Sequence, residues 1–219
     1  DIKGYFDSID QARLMELVGR RISDKRVLKL LRQWLRAGVM EAGALTASAL
    51  GTPQGGVISP LLANIYLDVL DGVWERQCSH LGRLIRYADD FVVMCKTEAA
   101  AKEALVRARE ILADLGLELH PDKTRLVDLR RGKEGFAFLG CMFRKRRSIL
   151  RAPSKHFMQR WPSPRAMKRI RDRVHDLTDV RRTSASDVME IIAVLNPVLR
   201  GWGNYFKTGN ASSKFNQVD

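Results

Sequence analysis

The feature that most constrains this chain is Arg86-Tyr87-Ala88-Asp89-Asp90-Phe91-Val92-Val93-Met94. Two adjacent carboxylates stand between short runs of apolar and β-branched residues, Leu84–Tyr87 and Phe91–Cys95. Each run reads as a strand, and the gap between them admits only a tight turn. The pair is therefore expected at the tip of a β-hairpin whose strands are buried on both faces. Neighbouring acids repel and contribute nothing to packing, so a positive group is expected beside them.

Upstream, Asp1–Phe6 reads as a strand. Asp10 then caps a helix carrying Leu14, Leu17 and Val18. A second helix runs from about Asp24, with Val27, Leu28, Leu30, Leu31, Trp34 and Leu35 inside, and stops at Gly38. Val39–Met40 and Ala47–Leu50 can pair as a hairpin around Gly43. Gly51-Thr52-Pro53-Gln54-Gly55-Gly56 follows, a composition that no regular element tolerates. Ser59-Pro60 reads as an N-cap and first turn. The helix behind it, with Leu62, Ile65, Tyr66, Val69, Leu70 and Val73 at helical spacing, is expected to lay one face on a sheet. A glycine-rich loop feeding a helix N-terminus suits close approach of a flat or anionic ligand, though many such loops are plain turns.

Beyond the carboxylates, Thr97 caps a helix with Ala101, Ala104, Leu105, Ala108, Ile111, Leu112 and Leu115 on one face, ended by Gly116. Leu117–Leu119 and Thr124–Leu129 read as strands around the turn His120-Pro121-Asp122-Lys123. Phe136–Phe143 and Ser148–Ala152 read as a further pair. Ser163-Pro164 opens a helix with Met167, Ile170, Val174 and Leu177 inward and Arg165, Lys168, Arg169 and Arg173 outward. Ser184 or Ser186 caps another, with Val188, Ile191, Ile192 and Leu195, and Asn196-Pro197 restarts a third through Val198, Leu199, Trp202, Tyr205 and Phe206. The expected architecture is α+β over 1–143, an antiparallel sheet with helices on one face, followed by a basic all-α bundle over 144–219.

Charge bears on partners. The chain carries a net +13, and from Arg144 onward 17 Lys/Arg stand against 6 Asp/Glu. That asymmetry points to a polyanion on the C-terminal third, the alternatives being a solvated basic surface or an anionic membrane. Arg200, Tyr205 and Lys207 join charge to a flat ring, whereas Trp202 and Phe206 read as core. The three cysteines, widely spaced and odd in number, build neither a disulfide framework nor a CxxC metal site,. A reducing compartment is expected, with no membrane span. The chain opens on Asp1 without an initiator Met and reads as a fragment.

If Asp1 and the Asp89-Asp90 turn lie on neighbouring strands, three carboxylates converge, and hard oxygen ligands select Mg²⁺ or Mn²⁺. Two such ions suit nucleotidyl transfer. At this point a family resemblance enters. Asp-Ile-Lys-Gly-Tyr-Phe-Asp at 1–7 resembles the first palm motif of reverse transcriptases. Residues 51–64 resemble their nucleotide-pocket motif in the form seen in bacterial group II intron enzymes. Tyr-Ala-Asp-Asp at 87–90 is similar to the catalytic hairpin, and 115–124 and Phe-Leu-Gly at 138–140 to the next palm motifs in order. Leu195–Phe206 resembles the maturase (thumb, or X) domain of the same proteins.

The resemblance implies a palm followed by a helical thumb, and an RNA-directed DNA polymerase that also assists intron splicing. The alternative is an RNA-binding splicing maturase without polymerase activity. It further implies that Asp1, Asp89 and Asp90 are catalytic carboxylates and metal ligands, with the Ile2 carbonyl a further ligand. Phe6 would stack under the deoxyribose, rather than Tyr5. Pro53, Gln54 and Gly55, with Tyr87 and Ala88, would line the nucleotide pocket. Lys123 would protonate pyrophosphate, its alternative being a surface turn lysine. Arg165, Lys168, Arg169, Arg173, Arg200 and Lys207 would contact RNA. The implied partners are intron RNA, a template–primer duplex and deoxynucleoside triphosphates, in the bacterial cytoplasm. The family's fingers lie upstream of Asp1, so the fragment by itself is expected to polymerise poorly.

Overall fold

The structure is a computed structural model that describes residues 1–36, 39–41, 44–46, 51, 56–130, 132–147, 155–179 and 187–218, with backbone only at 39–41 and 44–46. It divides into two compact units, Asp1–Leu126 and Val127–Asp219. Helices and small antiparallel sheets make both, and within the region expected to be all-α, residues 144–147 and 156–162 are strands.

In the first unit, Asp1–Phe6 is not a strand. Ile2 makes one antiparallel bridge to Leu119, then Gly4 turns the chain with a φ of 53° into helix α1, Tyr5–Ser8. A left-handed residue ends an extended run whatever the apolar pattern beyond it. Helix α2 (Gln11–Gly19) starts where expected, the Asp10 carboxylate accepting from the Arg13 amide at 2.8 Å. Helix α3 (Lys25–Arg36) buries Leu31 and Leu35 but leaves Val27, Leu30 and Trp34 exposed. Only one of its two apolar ridges finds a partner among the described residues. Gly38 lies outside them, as do Gly43 and Ala47–Leu50. The small hairpin is β1 (Val39–Glu41) with β2 (Ala44–Thr46), so its second strand begins earlier than predicted.

Helix α4 runs Ser59–Val73 and continues as a π-helical turn, Trp74–Cys78. Ser59 is its first helical residue and Ile58 its cap, so Ser59 is not the N-cap. Tyr66, Leu67 and Leu70 are fully buried, and the helix packs on α2 and on α5 (Glu98–Asp114), while Asn64, Asp71 and Trp74 meet the strand pair that follows. Strands β3 (Gly82–Tyr87) and β4 (Asp90–Cys95) form the predicted hairpin. They are buried on one face only: Leu84, Phe91 and Val93 pack into the core, while Ile85, Tyr87 and Met94 are exposed. Thr97 caps α5, and Gly116, at φ 71°, ends it. Leu117–Leu119 contributes the bridge to Ile2, and Thr124–Leu129 is irregular, not a strand. Apolar alternation makes a strand only where a neighbour supplies hydrogen bonds.

In the second unit, Phe136–Phe143 is itself a hairpin, β5 (Gly135–Phe138) and β6 (Cys141–Arg147), turned at Leu139-Gly140. The basic run Arg144–Arg147 completes β6, which pairs with β7 (His156–Pro162). Ser148–Ala152 lies outside the described residues. Ser163 caps α6 (Pro164–Thr178) through the Ala166 amide, and Met167 and Ile170 are buried beneath it. Ser184 and Ser186 also lie outside the described residues, and the N-cap of α7 is Asp187. Helix α7 runs unbroken from Val188 to Phe206 with Pro197 inside, so no third helix restarts at Asn196. One missing amide donor does not outweigh the hydrogen bonds on either side of it. A short α8, Ser212–Phe215, follows. No helix among the described residues is long and apolar enough to cross a membrane.

Candidate functional site

The hairpin register sets Tyr87 opposite Asp90, which leaves Ala88-Asp89 as a two-residue turn. Ala88 sits at φ 53°, a conformation that costs a residue with a Cβ roughly 1 kcal/mol,. Arg86 answers that cost, since its Nη1 donates to the Ala88 carbonyl at 2.8 Å. Asp89 lies on the turn and Asp90 opens β4, both partly buried. Burial pushes the Asp90 carboxyl above its ordinary range and the charge of Asp89 adds to the effect, while Lys123 opposes it. The positive group expected beside the acids is therefore present.

Asp1 reaches this neighbourhood through the bridge. Lys3 donates its amide to the Glu118 carbonyl and His120 donates to that of Asp1, at 2.9 and 3.0 Å. In such a wide pair the flanking residues make the bonds, so the Ile2 carbonyl faces away from the Leu119 side. The turn after His120 closes by a bond from the Thr124 amide to the His120 carbonyl, and this carries Lys123 back to the start of the chain. Its Nζ stands 2.8 Å from Asp1 Oδ2. Asp1, Asp89, Asp90 and Lys123 thus share one electrostatic neighbourhood.

Among the described residues, no three carboxylate, imidazole or thiol side chains are grouped closely enough to hold a metal ion. The donor chemistry nevertheless fits a hard divalent cation. Asp89 and Asp90 offer hard oxygen donors, and the raised Asp90 carboxyl is a group that a cation would return to its charged form,.

The neighbouring residues sort by exposure. Tyr5 is buried and donates its hydroxyl to the Ala63 carbonyl on α4, and burial pushes its phenol up. Phe6 is partly exposed, 5.6 Å from the Tyr5 ring between centroids. Gly51 is buried at φ 90°, where a Cβ would stand 2.9 Å from the Phe6 carbonyl and 3.0 Å from Asp7 Cα. Gln11 Nε2 holds the Gly51 carbonyl at 2.9 Å. The glycine-rich loop thus leaves from directly beside Phe6. Pro53, Gln54 and Gly55 lie outside the described residues.

Two matches decide the family. Residues 1–143 match the model described as reverse transcriptase (RNA-dependent DNA polymerase), and residues 167–219 match that of the group II intron, maturase-specific domain. The chain belongs to the reverse transcriptase family. Together the matches place it among the group II intron reverse transcriptase/maturases. It is 36% identical over 180 residues to the protein YkfC of Escherichia coli K12, covering 68% of this chain and 46% of that protein. It is 26% identical over 283 residues to an uncharacterized 91 kDa protein in a cob intron of Schizosaccharomyces pombe, covering 98% and 35%. Against the group II intron-encoded protein LtrA of Lactococcus lactis it is 48% identical over 71 residues, covering 32% and 12%. The chain therefore spans less than half the length of each of these relatives. The reverse transcriptase family works with divalent metal ions, and the two matched domains imply nucleic-acid binding.

In the reverse transcriptase's second unit, Leu139 and Gly140 both take positive φ, 49° and 74°, in the two-residue turn of β5–β6. Helix α7 clamps that turn, Tyr205 donating its hydroxyl to the Leu139 carbonyl at 2.8 Å. The cap of α6 does the same, the Ser163 amide donating to the Gly140 carbonyl at 2.8 Å. Trp202 and Phe206 pack with Phe215, as core aromatics should. Arg165, Lys168, Arg169, Arg173, Arg200 and Lys207 are all exposed. Sequence reasoning missed Arg86, Gln11 and the Tyr205 clamp. For Arg86 a signal existed: it shares the inward parity of Leu84 on β3, a place where a charge needs partners,.

Proposed function

We propose that this chain is the palm and maturase portion of a group II intron RNA-directed DNA polymerase, and that the observation carrying this reading is the grouping of Asp1, Lys123, Asp89 and Asp90. Asp1, Asp89 and Asp90, with the Ile2 carbonyl, would hold two Mg²⁺ ions, for which Mn²⁺ could substitute. Bound there, the ions make the primer 3′-hydroxyl a better nucleophile and neutralise the triphosphate. Lys123, on its turn, pairs with the Asp1 carboxylate and is an ammonium from which departing pyrophosphate could take a proton,.

Phe6 is the ring at the start of α1 with surface left to stack under a deoxyribose, because Tyr5 is committed to Ala63. Pro53, Gln54 and Gly55, with Tyr87 and Ala88, line the nucleotide pocket in this reading, supported by the departure of the loop beside Phe6. The clamped Leu139-Gly140 turn supports the primer end. The exposed basic residues of α6 and α7 hold intron RNA or the template–primer duplex through phosphate contacts. The boundary between palm and thumb falls near Phe143 in this reading, and the protein works in the bacterial cytoplasm.

The test is Mg²⁺-dependent extension of a DNA primer on an RNA template by the protein expressed from its complete reading frame. Asp89→Ala should lower extension by on the order of 10³-fold or more while leaving RNA affinity in place. Extension that survives this substitution would assign the carboxylates another role. Splicing assistance without any extension would favour a pure maturase.

A further inference from the structure

Arg86 is the most heavily engaged polar side chain beside the catalytic turn. Only 11% of its side chain is exposed. Nε donates to Asp71 Oδ1 and Oδ2 at 2.9 and 3.1 Å, and Nη2 donates to Oδ2 as well. Nη1 donates to Asn64 Oδ1 at 3.0 Å and to the Ala88 carbonyl at 2.8 Å. Asn64 and Asp71 both lie on α4, on one face and about two turns apart,. One guanidinium therefore spans two turns of a helix and the carbonyl that precedes Asp89.

We infer that Arg86 is a positioning residue for nucleotidyl transfer, fixing the Ala88-Asp89 turn to helix α4 and so setting how Asp89 and Asp90 are presented. The inference rests on the polymerase reading above. Three features carry it. The turn places Ala88 in the left-handed region, which persists only where the surroundings impose it,. A guanidinium is the side chain that can do so, because its planar fork fills a carboxylate and still has donors for two further oxygens. The pairing with Asp71 contributes little to stability by itself, since burying Arg86 costs desolvation and Asp71 remains 38% exposed,. Helix α4 also begins where the glycine-rich loop ends, so the same guanidinium relates the loop's exit to the carboxylates.

The experiment compares wild type, Arg86→Lys, Arg86→Ala and Asp71→Asn, each expressed from the complete reading frame. Single-nucleotide extension is measured with burst titration of active sites, alongside thermal unfolding and template–primer affinity. Arg86→Lys keeps the charge but loses the fork. Its kcat per active site should fall by on the order of 10²-fold, the effect of displacing reacting groups by about 1 Å. Template–primer affinity should hold. Guanidinium ion added to Arg86→Ala should restore turnover saturably, which a lost fold would not allow; should that variant not fold, Arg86→Lys decides. A loss confined to burst amplitude, with kcat per site unchanged, overturns the inference and leaves the polymerase reading intact. Wild-type kcat in Arg86→Lys does the same. A wild-type protein without extension overturns both.

Discussion

Gly51 shows how much a single residue can decide. Its φ of 90° is strained for any L side chain, and the space a Cβ would take is already held by the backbone of Phe6 and Asp7. Neither neighbour is the soft end of a side chain, so relief requires moving α1 or the loop. Gly51→Ala should therefore lower stability by about 2 kcal/mol, as expected for a forced left-handed residue with backbone overlap, read from urea unfolding. Because Phe6 is the displaced neighbour, the KM for deoxynucleotide should rise in the same variant. A change in stability with KM untouched would detach Phe6 from the pocket. Tyr5, one residue earlier, is different: its ring is core, and its hydroxyl serves Ala63 rather than a ligand.

Two turns of the same build recur among the elements. The β3–β4 and β5–β6 hairpins are both two-residue turns with a residue other than glycine at positive φ, Ala88 in one and Leu139 in the other. Each is held by a hydrogen bond to the carbonyl of that residue, from Arg86 and from Tyr205. The parallel makes a prediction for the second hairpin. Tyr205 is partly exposed, so Tyr205→Phe should cost only about 1 kcal/mol in global stability,. The Leu139-Gly140 turn should nevertheless loosen, seen as faster amide exchange at residues 139–141 and earlier dissociation from the primer end during extension. Unchanged exchange there would show that the Ser163 bond to Gly140 suffices. Local signals made three helix starts legible: Asp10, Thr97 and Ser163 each cap the helix that follows them. They misled at Asn196-Pro197, where a break is expected from the dipeptide alone, because the continuing apolar pattern of α7 outweighs one lost donor,.

Charge sorts by region across the whole molecule. The basic excess lies from Arg144 onward, and its side chains on α6 and α7 are exposed rather than paired into a core. Arg169→Gln with Arg173→Gln should weaken RNA binding about equally for unrelated sequences. The slope of log affinity against log salt should become shallower by roughly one per contact removed, measured by fluorescence anisotropy across a salt series. A loss specific to one RNA sequence would indicate base reading instead of phosphate contact. The exposed ridge Val27, Leu30 and Trp34 on α3 belongs to this scale too, since nothing among the described residues covers it.

The Asp89-Asp90 hairpin, the helix caps at Asp10, Thr97 and Ser163, the glycine-rich approach to α4 and the basic third of the chain are legible in the sequence. Each rests on interactions within a few residues, or on composition, and such terms are present before the chain folds. Long-range packing is what pairs Asp1 with Lys123, and what shrinks the strand expected at Asp1–Phe6 to one bridge before a left-handed glycine. It also decided that β3 and β4 bury a single face, and that Arg86 ties the turn to Asn64 and Asp71. Those arrangements join residues far apart in sequence, and their energies depend on which surfaces meet. A pair such as Asp1 and Lys123 leaves no mark in its own neighbourhood; a hairpin turn does.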